Sequence, residues 1–260
     1  MKKKKFDIKD VADFYNDSTQ LIIDKLNIND TLQGKRSEII GDLFDHLMQT
    51  IGIREKMKVL DAGCGIGGPS IYFAKKLDIT IDAINVSQVQ IDIFNAKILK
   101  NDLSDKIKVT LGDYHFLENY YPESHFDVVM FLESFGHSVD REKLLRSAWK
   151  VLKSGGSLFI KDPFKVRNLN PFNQSRIKFA VTQNENHFKY DYVTIHKMST
   201  ILKRNNFRIE KINNVPYENY DDQLNNQYNT LVGFQQYKDN IPVHFTDCYE
   251  ILCKKQTVNT

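Results

Sequence analysis

Four glycines crowd the stretch KVLDAGCGIGGPS, Lys58 to Ser70, at positions 63, 65, 67 and 68, and one carboxylate, Asp61, stands two residues before them. Glycines at this density let the backbone turn tightly and approach a bound molecule closely. A helix starting behind such a turn offers unpaired N–H groups to polar or anionic atoms. Gly63, Gly65 and Gly68 satisfy the GxGxxG spacing of many nucleotide-binding turns, a weak signal on its own. Asp61 makes it more specific. A carboxylate at a strand end favours an ammonium or a cationic cofactor and repels a pyrophosphate, so this turn suits a cofactor without phosphates.

Further polar residues fall where later apolar runs end. Ile79 to Val86 reads as a strand ending at Asn85, with Ser87 capping a helix that carries Gln90. Asn85 can both donate to and accept from a hydroxyl; equally, it can cap the strand while Gln90 faces solvent. Asp113 and Tyr114 follow a strand over Lys106 to Leu111, and Asp113 is either an acceptor for an amine or a turn aspartate after Gly112. Glu133 and His137 follow the continuous apolar run Phe126 to Leu132. His137 either faces the same ligand or packs in the core.

The elements that must carry these residues alternate. After the opening strand, the pattern gives a helix over Ser70 to Leu77, the second strand, a helix from Ser87 through Leu103, and the third and fourth strands. A helix over Asp140 to Leu152, closed by Ser154-Gly155-Gly156, leads to a fifth strand over Ser157 to Lys161. Continuous apolar runs suit buried parallel strands, so an α/β sheet with helices on both faces is expected. Helices over 7–26 and 34–51 precede it, either packing on the domain edge or closing over a cofactor. Residues 163–189 read as irregular. A helix over Tyr192 to Asn205, a strand over Phe207 to Val215, a helical core around Leu231 to Tyr237 and a strand over Cys248 to Cys253 follow. The last strand, arriving after a long excursion, is expected to insert antiparallel. The chain reads as one domain: a helical cap over 1–52, a cofactor-binding core over 53–162, and substrate-side insertions with closing strands over 163–260.

At 260 residues, with 41% hydrophobic and 27% charged residues and a net charge of +3, the composition is that of a globular protein. Much of the excess sits in Lys2 to Lys5, which read as a solvated terminus or as a contact for anionic surfaces. No basic stripe with interleaved aromatics suggests a nucleic-acid partner. No apolar run after these lysines suggests export, and no stretch is long enough for stable membrane insertion, so a cytoplasmic location is expected. Three cysteines, Cys64, Cys248 and Cys253, do not make a disulfide framework, and no spacing suggests a metal site.

The string VLDAGCGIGG resembles motif I of the class I S-adenosylmethionine-dependent methyltransferases, whose seven-stranded Rossmann-like sheet has an antiparallel last strand. The resemblance covers roughly Lys58 to Lys161. It implies that Gly63 and Gly65 lie along the amino-acid end of S-adenosylmethionine, with Asp61 near its ammonium. Asn85, where the family usually has an acid, would meet the ribose with help from Gln90, and Asp113 and Tyr114 would meet the adenine. The string Asn85-Val86-Ser87-Gln88-Val89-Gln90 is similar to members that alkylate sterols and isoprenoids. So is Glu133-Ser134-Phe135-Gly136-His137, and in terpenoid C-methyltransferases a general-base glutamate stands at the position of Glu133. Tyr15, in Phe14-Tyr15-Asn16-Asp17, resembles the cap tyrosine that reaches the cofactor carboxylate. The implied function is methyl transfer to a small, apolar acceptor, with carbon methylation of an isoprenoid or prenyl diphosphate preferred; oxygen or nitrogen methylation of a small metabolite is the alternative. An alkene acceptor becomes a cation and needs electron-rich walls, for which Phe135, Phe172, Phe188, Tyr190, Tyr192, Tyr217, Tyr220, Tyr228, Phe234 and Tyr237 are candidates. A nicotinamide oxidoreductase on the same turn is the reading from another enzyme class. Oligomer formation is left open.

Overall fold

The apolar strands between Lys58 and Lys255 assemble into one seven-stranded sheet. The computed structural model describes residues 6–26, 28, 30–34, 39–167, 171–215, 234–239 and 243–256. Strand β1 (Lys58–Ala62) pairs in parallel with β2 (Thr80–Asn85) and β4 (Phe126–Leu132), while β3 (Ile107–Leu111) extends the sheet beyond β2 and β5 (Leu152–Lys165) beyond β4. On the other side β7 (Thr246–Lys255) runs antiparallel between β5 and β6 (Phe207–Asn214). The order β3-β2-β1-β4-β5-β7-β6 is the mostly parallel sheet, closed by an antiparallel last strand, that the sequence pattern implies.

Both faces are covered, which explains why the central strands are apolar throughout. One face, with Leu60, Ala62, Val129 and Phe131, packs on α5 (Arg141–Val151) and α7 (Ile195–Arg204). The other, with Val59, Met130 and Leu132, packs on α2 (Ile40–Ile51), α3 (Gly68–Lys76) and α4 (Gln88–Lys100). In β1, alternation therefore sends Asp61 to the α3 face. Because β1, β2 and β4 are parallel, their C-terminal ends share one edge, and α1 (Ile8–Leu26) lies there against α4.

Four expectations are corrected. The second N-terminal helix starts at Ile40, and residues 35–38 lie outside the described set. Strand β5 is fourteen residues long, beginning at Leu152; Ser154-Gly155-Gly156 do not close the helix but form an irregularity in the strand, where Gly155 takes φ +70° and the pairing with β4 jumps from Leu152 to Ser157. Residues 163–189 contain a helix, α6 (Gln174–His187), whose buried side, Ile177, Ala180, Val181, Asn184 and Glu185, has helical spacing but mixes apolar with polar residues. The helical core read around Leu231 to Tyr237 has no described helix at Phe234 to Tyr237, and Leu231 to Gly233 lie outside the described residues, as do Tyr217, Tyr220, Tyr228 and Lys2 to Lys5. Among the described residues, no helix is long and apolar enough to cross a membrane.

Candidate active site

The glycine turn owes its shape to three left-handed residues, Gly63 (φ +80°), Gly65 (φ +53°) and Gly67 (φ +79°). Gly68 has ordinary φ but serves close approach, since a Cβ there would lie 2.2 Å from the Asp30 carbonyl oxygen. That contact brings segment 30–34 over the turn. A cavity of about 80 Å³ remains between the strand ends, α1 and this segment. It is lined by Tyr15, Gln33, Asp61, Gly63, Gly65, Asn85, Gln90, Tyr114, Glu133 and His137, among others. α1 and segment 30–34 both contribute to its lining, through Ile8, Val11 and Tyr15 and through Thr31, Leu32 and Gln33.

Asp61 is buried and accepts a 2.6 Å bond from the Ser70 hydroxyl of α3. Desolvation pushes its carboxyl up from 3.8 to about 6, with the Ser70 bond pulling the other way. Asn85 donates to Gln90 Oε1 at 2.7 Å and accepts from the Val86 amide at 2.8 Å, while Gln90 Nε2 donates to Thr19 Oγ at 3.0 Å. Asn85 thus caps the strand end and also lines the cavity. Gln90 is buried beneath α1 rather than solvated. Asn16 supports the same junction by accepting from the Ser87 hydroxyl at 2.8 Å.

Glu133 follows β4 in the left-handed region, φ +56°, a conformation that is costly for a non-glycine residue and common at functional sites. Its amide donates to the Lys161 carbonyl at 2.6 Å, one carboxylate oxygen pairs with the Lys161 ammonium, and the other accepts from the Gly34 amide at 2.7 Å. His137 sits in a 3-10 turn, Phe135–His137. Its Nδ1 lies 2.9 Å from the Lys189 carbonyl, which can only accept, so the proton is on Nδ1; Nε2 then accepts from the Tyr15 hydroxyl at 2.8 Å. Burial lowers the imidazole from 6.5 to about 4, so the ring is neutral. His137 both packs, edge-on to Tyr190 at 4.9 Å, and lines the cavity.

Asp113 lies apart from these residues. It caps the 3-10 turn after β3, accepting from the His115 amide at 2.9 Å and from His115 Nδ1 at 2.6 Å, and it does not line the cavity. Burial disfavours its charge, but the bonds from His115 outweigh that and hold the carboxyl below its ordinary range. Tyr114 does line the cavity, with its hydroxyl committed to the Ser134 carbonyl at 3.0 Å.

Among the proposed aromatic walls, Phe135 is core and Phe172 is 86% exposed. Tyr190 and Tyr192 pack at 4.6 Å beside His137, and Phe188 and Phe234 pack with Phe14 and His187. Tyr237 packs on the small cluster of Ile177 and Phe245. Lys161, Gln33, Gly34 and Thr19 were missed. Only Lys161 left a trace: a lone lysine closing the apolar run Leu158 to Ile160.

Asp61 and His137 give opposite pH dependences. Asp61 titrates higher folded than unfolded, so the folded state binds the extra proton and stability falls as pH rises from about 4 to about 6. His137 titrates lower when folded, so stability rises as pH goes from about 4 to about 6.5. Each is worth about 3 kcal/mol over its window, and they largely cancel. Asp61→Asn is expected to be more stable than wild type at pH 7, with the gap closing near pH 4. His137→Gln should gain on wild type as pH falls below 6.5. Urea denaturation between pH 4 and 7 checks both.

Residues 59–156 match the family model described as a methyltransferase domain. It is 36% identical over 120 residues to a 27-O-demethylrifamycin SV methyltransferase of Amycolatopsis mediterranei, covering 46% of this chain and 43% of that protein. It is 37% identical over 112 residues to sterol 24-C-methyltransferase erg-4 of Neurospora crassa, covering 43% and 29%. The chain thus spans less than half the length of these curated relatives. Among solved structures, the [4+2]-cyclase SpnF superposes with a TM-score of 0.79 at 17% identity, covering 96% of this chain and 97% of that one. Geranyl diphosphate C-methyltransferase from Streptomyces coelicolor A3(2) superposes with 0.72 at 14%, covering 95% and 97%. These likenesses establish a shared fold, which by itself does not assign a reaction.

Proposed function

We propose that this chain is an S-adenosylmethionine-dependent methyltransferase acting on a small acceptor beneath α1. The observation that carries the reading is the convergence of Asp61, Asn85 with Gln90, Glu133 and His137 on one cavity at the ends of β1, β2 and β4. The donor set fits the cofactor. Asp61 is a buried carboxylate suited to an ammonium, and Gly65 has no heavy atom within 4 Å of a built Cβ, leaving room along the backbone. Bound there, S-adenosylmethionine supplies an electrophilic methyl group on a sulfonium. Asp61, Gly63 and Gly65 would hold its amino-acid end, Tyr15 its carboxylate, Asn85 and Gln90 its ribose hydroxyls, and Tyr114 with Asp113 its adenine. Asp113 would do so through Oδ2, since both bonds from His115 end on Oδ1.

Carbon methylation of an isoprenoid or prenyl diphosphate is the preferred case, and the sterol 24-C-methyltransferase relative supports it. Glu133 would remove the proton from the methylated acceptor, since its carboxylate lines the cavity while Lys161 and the Gly34 amide hold it in place. Phe188, Tyr190 and Tyr192 do not line the cavity, so they would supply an electron-rich wall only to an acceptor held beyond His137, each ring contributing roughly 0.5–2 kcal/mol to a cation. A second reading, methylation of an oxygen or nitrogen, is favoured by the Tyr15–His137 pair, whose neutral imidazole accepts a hydrogen bond from a hydroxyl. Incubation with methyl-labelled S-adenosylmethionine and a panel of prenyl diphosphates, sterols, quinols and amines tests the proposal. Label is expected on carbon of an isoprenoid; label only on oxygen or nitrogen removes the carbon case, and none on any acceptor removes the function.

A further inference from the structure

The Lys161 side chain is fully buried, although an ammonium out of water costs several kcal/mol unless it is paired. Two contacts and a neighbouring charge from distant parts of the chain answer that cost. Glu133 pairs with it from the end of β4, Gln33 Oε1 accepts from it at 2.8 Å, and Glu250, its register partner on β7, adds a second buried negative charge. Burial disfavours the charged form of Lys161, yet the carboxylates outweigh burial and leave its pKa raised. Glu250 is itself held by His46 of α2, whose Nε2 lies 2.9 Å from both of its oxygens.

Segment 30–34 ends on the same pair. Gln33 is fixed to Lys161, and the next residue, Gly34, is fixed by its amide to Glu133. One ammonium therefore decides two things at once: where the Glu133 carboxylate points and whether the segment is seated on the cavity. If the pair served stability alone, Glu133 would have no need to line the cavity in a left-handed conformation or to bind a backbone amide of its cover.

We propose that Lys161 is a positioning residue that couples closure of segment 30–34 to the orientation of Glu133. The catalytic consequence rests on the methyltransferase reading above; the structural coupling does not. Opening the segment frees Gln33 and one Glu133 oxygen while Lys161 keeps the carboxylate on its β5 side, so closure restores one geometry each time. Glu250 and His46 hold the ammonium from behind, which places them outside the cavity and inside the same charge network.

The experiment compares wild type, Lys161→Met, Lys161→Arg and the neutral double variant Lys161→Met/Glu133→Gln by amide hydrogen exchange at residues 30–34 and in β1 and β4. Lys161→Met is expected to speed exchange at Gly34 by at least about tenfold relative to β1 and β4, the effect of losing charge-assisted bonds. Lys161→Arg should recover much of the protection. The double variant, which removes both members of the Lys161–Glu133 pair and leaves Glu250 to His46, should still exchange fast at Gly34. Exchange at Gly34 in the double variant as slow as in wild type, or acceleration no greater than in β1 and β4, overturns the coupling. In the turnover assay, Lys161→Met should lower kcat by at least about tenfold with the KM for S-adenosylmethionine within about threefold of wild type. Unchanged kcat alongside faster Gly34 exchange would refute the effect on Glu133. Failure of wild type to bind S-adenosylhomocysteine would instead remove the methyltransferase reading and leave the exchange result to decide the coupling.

Discussion

Glu133→Gln is expected to lower turnover by roughly 10²–10⁴-fold, the range that a positioned general base contributes, while S-adenosylmethionine still binds. The substitution keeps size and can keep one contact, since a carboxamide oxygen still accepts from Lys161. Its NH2 group, however, faces the Gly34 amide, a donor against a donor. It also leaves the buried Lys161 ammonium with less countercharge, so stability should fall by roughly 1–3 kcal/mol as well. Turnover, calorimetric cofactor affinity and urea denaturation measured on one preparation separate these effects. Full activity in the variant would exclude Glu133 as the base and turn attention to His137.

Gly67→Val is expected to abolish the folded protein. A Cβ at this residue would lie 2.0 Å from the ring of Phe94, which is fully buried, and φ is +79°. Overpacking of a closed core costs roughly 1–3 kcal/mol, left-handed strain roughly as much again, and a β-branched residue tolerates that region worst. Together these come to roughly 2–6 kcal/mol, enough to unfold a domain at the lower end of the typical ~5–15 kcal/mol. Gly65→Ala makes the informative contrast. Its φ of +53° carries some strain, but nothing lies within 4 Å of the added methyl. It should fold, with a loss of about 1 kcal/mol, and its cofactor affinity should fall because the methyl faces the cavity. Soluble yield and urea midpoints for the two variants, with calorimetry on Gly65→Ala, check this. A folded Gly67→Val protein of wild-type stability would mean that the turn is not built as described.

The sheet was legible because its rule is local. The run Phe126 to Leu132 could only be a strand buried on both faces, and β4 occupies those residues. Ser87 could be read as a cap from its place before the helix, and its hydroxyl does accept from the Gln90 amide. The residues at the strand ends followed from the topology, since parallel strands deliver Asp61, Asn85 and Glu133 to one edge. What could not be read lies in contacts between distant segments. Nothing near Gln33 or Gly34 in sequence signals Lys161 or Glu133, which lie about a hundred or more residues away and meet them only after the sheet has formed. Asp113 shows the opposite limit: its position after β3 suggested a ligand contact, while His115, two residues on, already occupies the carboxylate. Helix α6 escaped notice because its buried stripe ends in Asn184 and Glu185, and a polar stripe carries little periodicity.

Calorimetric titration of S-adenosylhomocysteine into wild type and Asp61→Asn, with NAD as comparison, tests the central claim most directly. Saturable binding to wild type is expected, weakened roughly ten- to hundredfold in Asp61→Asn by loss of one charge-assisted contact to the ammonium, with no binding of NAD. Absence of S-adenosylhomocysteine binding to the folded wild type, or binding of NAD in its place, would contradict the assignment of this cavity.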